Sequence, residues 1–411
     1  MVEIANSTAV HRAAMNETIA KRAQAAHWPH GKACPPLTSV SASQWRALAE
    51  RAVEPNGFYL ADWEMAVNAS ARGRSSVGAL GAWSDVSLAT DESTRLIGLL
   101  PVISMWRAYK IPLPALVSAD PYGTLCTPLL DRGTPDEAVV ELMHQARKAG
   151  AHALTLRDVA LDGAAMKTFD RVLRQGGMRP RLLQSHVRAA LDARHDADES
   201  LREALGAKKL KELRRQRNRL AEHGPVRFEV ARRPQEIEQA VELFLMLEAS
   251  GWKARRGTAL IQDEGDARFI RRATMALAEI GQCEIVSLHA GETPVAAGVV
   301  LRHQDRAFYF KLGVDERFAK LSPGVQLTLD LTRHLCADPS IALADSIAIA
   351  DHPMINPIWR ERLAIGDVLI PLRRNDPVVS MIHAAIGLRA SLREPVRHLV
   401  HFIRKRQEKP S

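Results

Sequence analysis

The sequence predicts an α/β (α+β) protein made of two similarly ordered halves joined by a long basic helix. Three observations carry that expectation. Residues from about 41 to 192 alternate strand and helix patterns, the mark of a layered α/β architecture. A basic helical stretch follows and stops at Gly224-Pro225. The order then restarts as strand, helix, helix, three-strand meander, helix, strand. The expected divisions are a leader over 1–40, a first domain over 41–195, the basic helix over 196–224, a second domain over 225–375 and a basic amphipathic tail over 376–411.

Each element has a local reason. Met1 to about Val40 is polar, Ala-rich and weakly periodic, without the apolar core of a secretory signal. "SQWRALAERA" suits a short helix. "SVGALGAW" and "RLIGLLPVISMW" read as strands, the second with a bend at Gly98 or Pro101. "PALVSADPYGTLCTPLL" is strand and loop. In "TPDEAVVELMHQARKAG", Thr134 is placed to cap a helix, Pro135 fits the first turn, acids follow, and Lys148 and Gly150 close it. "HALTLRDV" and "LLQSHVRAAL" are strands on either side of the helix "GAAMKTFDRVLRQGG".

The basic helix runs through "DESLREALGAKKLKELRRQRNRLAEHG", with acids early and bases late, as the helix dipole prefers. Eight bases between Arg202 and Arg219 face two acids, Glu203 and Glu212, beside a thin seam of Leu201, Leu205, Leu213 and Leu220. It reads either as a solvated connector packed by that seam or as a ridge facing an anion. "VRFEVA" is then a strand, "PQEIEQAVELFLMLEASG" and "GDARFIRRATMALAEIG" are helices, and "CEIVSLHAGETPVAAGVVLRHQDRAFYFKLG" gives three strands with tight turns. "PGVQLTLDLTRHLCA" is a helix and "DSIAIAD" a strand. The tail carries seven Lys/Arg against three acids in two amphipathic segments, suited to an anionic membrane surface, to its own domain or to a second copy.

Composition bounds the function. The 411 residues carry a formal charge of +9, which favours anionic partners such as phosphates, a nucleotide-linked substrate or anionic lipid. Little aromatic interleaving accompanies the bases, so no specific nucleic-acid readout is expected. The four cysteines are far apart and form no C-x-x-C, which fits a reducing cytoplasm, with peripheral contact to a membrane as the variant. The apolar run "LIGLLPVISMW" is too short to span a bilayer. "HWPH" and "HLVH" have metal-like spacing without a third ligand nearby, so no metal is expected. No P-loop, dinucleotide fingerprint, H-E-x-x-H or G-x-S-x-G is present.

Residues from about 205 to 372 resemble a GNAT acyltransferase domain, more narrowly the CelD-like branch labelled cellulose or polysaccharide biosynthesis acetyltransferases. The resemblance rests on "LRRQRNRLAEHG", "LEASGWKARRGTA", "YFKLGVDERFAKLSPG" and the late "DSIAIADHP". The earlier "RLIGLLPVISMW…DPYGTLCTPLL" resembles the same branch more loosely. The resemblance implies tandem GNAT-like folds akin to the FemAB/FemX aminoacyl transferases, each a mixed, largely antiparallel sheet flanked by helices. It also implies an acyl-CoA co-substrate, acetyl-CoA first, and an amine or hydroxyl acceptor on a small molecule or saccharide. Aminoacyl transfer from tRNA is the variant, and a non-catalytic protein binding anions or membrane on a degenerate tandem fold is the other class.

On that arrangement the donor's pyrophosphate would meet the loop Arg317–Gly324. Arg317 and Lys320 add charge, Ser322 can cap the helix, Pro323 fits its first turn, and Gly324 lets main chain approach an anion. The loop departs from the family's Q/R-x-x-G-x-G/A pattern by filling both glycine positions. On the preceding strand, alternation places Tyr309 and Lys311 on one face and Phe308 and Phe310 on the other. A lysine there needs a cleft or an acid, and Asp315 or Glu316 is the expected partner, with Asp315 orienting Lys311 or Tyr309 at the acceptor. Trp252 and Lys253 would line the acceptor, with Trp252 as a flat apolar wall. Glu248, Asp351 and His352 are the candidate bases, and a histidine at a strand terminus would titrate near neutrality.

Overall fold

A computed structural model describes residues 34–85, 94–251 and 255–407, with side chains to residue 392. The leader therefore falls largely outside the described residues, as do "HWPH" and the side chains of "HLVH". The first half contains α1 (Ala42–Glu50), α2 (Ala61–Ser70), β1 (Gly78–Asp85), β2 (Thr94–Ser104), α3 (Met105–Tyr109), β3 (Ala115–Ser118), β4 (Leu129–Leu130), α4 (Pro135–Lys148), β5 (Ala153–Ala160), α5 (Ala164–Gln175) and β6 (Arg181–Asp192). Helix α6 (Ala197–Leu220) connects to β7 (Val226–Ala231), α7 (Pro234–Ala249), α8 (Glu264–Glu279), β8 (Cys283–Ala290), β9 (Thr293–His303), β10 (Arg306–Val314), α9 (Pro323–Cys336), β11 (Leu343–Asp345), β12 (Glu361–Pro371) and α10 (Pro377–Gln407).

The strands form one mixed sheet in the order β1-β2-β3-β5-β12-β6-β11-β10-β9-β8-β7, with β4 beside β2. The order is nearly palindromic. Each half has an antiparallel meander leading to a parallel pair, β3 with β5 and β10 with β11. Each pair is then extended by the other half's last strand, β12 against β5 and β6 against β11, both antiparallel. Strands β6 and β12 pair with each other at the centre, so a pseudo-twofold axis passes between them. Each half's sheet is completed by a strand from the other.

The packing follows the sheet. One apolar cluster joins α1, α2, α4 and α5 to α7, α8 and β10, so the core crosses between the halves. Trp63 lies edge-on to Phe310 at 4.9 Å and to Phe269 at 5.0 Å, and Phe58 meets Phe308 at 5.8 Å. Such pairs contribute about 0.5–1.5 kcal/mol each beyond area burial. His303 on β9 is buried against the first half: its Nδ1 accepts from Asn56 N–H at 2.9 Å, and its Nε2 donates to the Ala49 carbonyl at 2.9 Å. A second cluster lies on the other face under α6 and α9. Val379 and Ile382 of α10 pack with Ala115 and Leu369, so the start of the tail sits on its own sheet.

Several expectations need correction. The strand expected over "DSIAIAD" ends at Asp345, because Ile347 adopts a left-handed φ of 52° that no strand accommodates. His352 is therefore in a loop rather than at a strand end. Thr134 makes no capping bond to α4, and its hydroxyl meets no hydrogen-bond partner among the described residues. Helix α6 is kinked at Gly206 (φ 71°, ψ 161°). Strand β12 and helix α2 were not anticipated. Among the described residues, no helix is long and apolar enough to cross a membrane, and no cluster of His, Cys, Asp or Glu is placed to hold a metal ion.

Candidate active site

Strands β10 and β11 pair only from Arg306 to Phe308 and from Leu343 to Asp345. Beyond those residues they part, and the gap opens toward their carboxyl ends. A β-bulge shifts the β9–β10 register between Tyr309 and Lys311, leaving Phe310 as the extra residue. The bulge overturns the simple alternation. Tyr309 is buried in the cluster under α9, 6.1 Å from the Trp359 ring. Lys311 instead emerges on the same side as Phe310, with its Nζ 3.6 Å from the Glu248 carboxylate. Tyr309 and Lys311 thus serve opposite faces.

Lys311 stands in a charged and aromatic wall drawn from both halves. Glu248, 2 % exposed, also accepts from Leu260 N–H at 2.8 Å, so it anchors the chain after α7 as well as the ammonium. Tyr122 from the first half stacks on Phe269 at 5.0 Å and donates its hydroxyl to Asp266 at 2.7 Å. The Lys311 ammonium lies 5.6 Å from the Tyr122 ring, and the Arg74 guanidinium 4.1 Å from it. Burial drives the Tyr122 phenol well above its ordinary range, so it stays protonated at neutral pH.

The floor of the gap is an ion pair with no exposed surface to speak of. Arg188 on β6 donates to the Asp345 carboxylate and to the Thr124 carbonyl and hydroxyl, and both charged side chains are about 1 % exposed or less. Asp345 also accepts from Ile347 N–H at 2.9 Å. Around this floor Tyr122, Ser322, Ile347 and Asp351 all hold left-handed φ values near 50–65°. Non-glycine residues rarely adopt that conformation, and it costs of order 1–3 kcal/mol each unless the surroundings fix it.

The expected phosphate loop differs from its sequence reading. Residues Glu316–Leu321 form a 3₁₀ turn. Asp315 does not reach Lys311 or Tyr309; it accepts from Arg317 N–H at 2.9 Å and pairs with the Arg317 guanidinium at 2.7 Å, which holds its carboxyl below the ordinary range. Glu316 pairs with Arg255 at 2.9 Å. Ser322 precedes α9 in the left-handed region and gives no side-chain cap, because that backbone turns its hydroxyl away from the helix amides. Pro323 fills the first turn as expected, but Pro323 and Gly324 are buried. A Cβ on Gly324 would lie 2.9 Å from Leu312, 3.1 Å from Val314 and 3.4 Å from the Met354 sulfur, so Gly324 serves close packing and offers no open approach to an anion. Helix α6 lies alongside, with Gln326 donating to the Leu213 carbonyl at 2.8 Å and Arg217 pairing with Asp330 at 2.8 Å. The side chains of Arg317 and Lys320 remain outward at this turn.

Asp351 and His352 line a cavity of about 500 Å³ with Asn356, Arg360, Arg362 and Ala204. His352 Nδ1 accepts from Met354 and Ile355 N–H at 3.3 and 3.4 Å, which fixes the Nε2–H tautomer and ties the ring to its own turn. Burial lowers its pKa, so it is neutral near pH 7. Trp252 and Lys253 lie outside the described residues. Sequence reasoning missed Tyr122 and Arg188. Of these, only Tyr122 had a local signal, in the turn "DPYG".

Comparison with known proteins accords with this geometry. Residues 207–348, beginning just after the Gly206 kink, match the family model for an acetyltransferase (GNAT) domain. Among solved structures the chain is similar to FemX, with a TM-score of 0.51 at 10% identity over 84% of this chain and 98% of that one. It is similar to L-PGS from Bacillus licheniformis, with a TM-score of 0.50 at 13% identity over 87% and 99% of the two chains. A conserved protein of unknown function from Bacteroides thetaiotaomicron gives 0.50 at 11% identity over 82% and 100%. At such identities these likenesses speak to fold alone. No curated sequence matches the chain. The family match thus falls in the second half, within a mixed α/β fold whose helices flank one large sheet.

Proposed function

We propose that the chain is an acyltransferase that moves an acyl group from a coenzyme A thioester, acetyl-CoA first, to an amine or hydroxyl of a saccharide or amino compound. The observation carrying this reading is the gap between β10 and β11, beside which the Phe310 bulge turns Lys311 onto the Glu248 side. Attack on a thioester carbonyl develops negative charge on oxygen, and a fixed cation in a water-poor gap stabilises that charge far better than solvent does. Glu248 holds the ammonium in place at 3.6 Å. The acceptor loses its proton as the new bond forms, and the thiolate leaving group takes one up. Asp351, exposed in the cavity beside α6, is the carboxylate we assign to that proton, whereas His352 has committed Nδ1 to its turn. Arg317 and Lys320 would hold the donor's phosphates through side chains.

One observation favours a second reading, aminoacyl transfer from tRNA. With Gly324 covered, the turn before α9 has no glycine opening for a pyrophosphate, while Lys208, Lys209, Lys211, Arg214 and Arg215 stand along the helix packed against it. A tRNA ester needs no pyrophosphate cradle and gains from such a ridge. Measuring free thiol release from acetyl-CoA against a panel of amino sugars separates the two. Release that depends on the acceptor is the expected result. Transfer from aminoacyl-tRNA with no thiol release would move the assignment to the second reading, and failure of both would overturn acyl transfer.

A further inference from the structure

A cavity of about 750 Å³ opens beside the carboxyl end of β5. Its walls come from both halves: the carboxyl end of β5 with Asp162, the chain around Glu54, Arg132 before α4, the start of β10 with Asp305 and Arg306, and the start of β12 with Arg362. Strand β5 runs opposite to β10, because β5 is antiparallel to β12, β12 and β11 are both antiparallel to β6, and β11 is parallel to β10. The carboxyl end of β5 therefore falls beside the amino end of β10.

The cavity's three arginines share an unusual feature. Arg132 donates to the main-chain carbonyls of Glu50, Arg51 and Ala52. Arg362 donates to the carbonyls of Trp359, Glu361 and Asn356. Arg306 Nε is buried and meets no hydrogen-bond partner among the described residues. Carbonyls orient a guanidinium without cancelling its charge, and none of the three makes an ion pair with a described carboxylate. The acids nearby do not neutralise them either. Glu54, 4 % exposed, spends one oxygen on Ala165 N–H at 2.9 Å, and Asp162 and Asp305 are exposed at the mouth. Two guanidinium groups held by carbonyls and a third, Arg306, with a buried Nε that meets no partner among the described residues suit adjacent phosphate oxygens, which arginine meets bidentately.

We propose that this cavity binds a ligand bearing a phosphate or diphosphate group, held by Arg132 and Arg306, with Arg362 on the wall shared with the Asp351 cavity. The test is calorimetric titration of the full chain with inorganic pyrophosphate, with ADP, and with vesicles of phosphatidylglycerol in phosphatidylcholine. Binding of pyrophosphate is expected. Arg306→Gln should weaken it at least about tenfold, and Arg360→Gln, which touches only the other cavity, should leave it unchanged. Asp162→Asn removes a like charge at the mouth and should tighten binding by about threefold, a gain that misfolding does not produce. ADP binding tighter than pyrophosphate would identify a nucleotide-linked ligand, vesicle binding a lipid headgroup, and pyrophosphate alone a free anion. No binding of any probe at millimolar concentration, or binding that neither Arg306→Gln nor Asp162→Asn alters, overturns the proposal.

Discussion

Lys311 shows how one residue's role depends on the backbone beneath it. A lysine among Phe308, Tyr309 and Phe310 is costly unless an acid and a cleft receive it, and that much is legible in "AFYFKLG". Which face receives it is not legible, because the Phe310 bulge reverses the alternation and no residue type announces a bulge here. The partner was misplaced for the same reason: Asp315 is near in sequence, whereas Glu248 is near in space. His303 carries a testable consequence at this scale. Burial penalises the charged imidazolium and lowers its pKa below the ordinary value of about 6.5. Above about pH 6.5 neither state binds the extra proton and the full stability is present. As the pH falls through that value the unfolded chain takes the proton and the folded chain resists, so stability falls by up to about 1.4 kcal/mol per pH unit until the folded-state pKa is reached. Urea denaturation at pH 7.5 and 5.5 should show a smaller difference in His303→Gln than in the wild type. An equal difference would remove His303 as its source.

Among the elements, α6 is the one whose single residue sets its course. Gly206 has a backbone conformation essentially reserved for glycine, and the space around it is open, so sterics with neighbours do not explain it. The kink separates the acidic first turns from the basic segment that docks on α9 through Leu213 and Arg217. Gly206→Ala should cost about 1–3 kcal/mol in denaturant unfolding, since alanine either strains or straightens the helix and lifts it from α9. An unchanged midpoint would show that the kink has no structural role. Helices with clear starts and stops, such as α4 with Pro135 and its terminal bases, were readable from sequence. Strand limits were less so. The apolar run after Asp345 looks like a strand, but Ile347 turns left-handed because its N–H is taken by the Asp345 side chain. Strand β12 was missed because its pairing is set by β5 and β6, far away in the chain.

Across the whole molecule, the exchange of β6 and β12 makes the two halves one sheet with one shared core. The restarted order of elements was legible, while the exchange was not, since it is a statement about pairings between distant segments. The consequence is functional: Tyr122 and Thr124 from the first half stand at the gap between strands of the second, so the proposed reaction centre needs both. The most direct test of that centre is steady-state acyl transfer by Lys311→Met beside the wild type. The cation should act on the transition state more than on donor binding, so kcat should fall about 100-fold or more with the donor KM within about threefold and the folded state retained. A Lys311→Met protein that turns over at the wild-type kcat would contradict the placement of acyl transfer between β10 and β11.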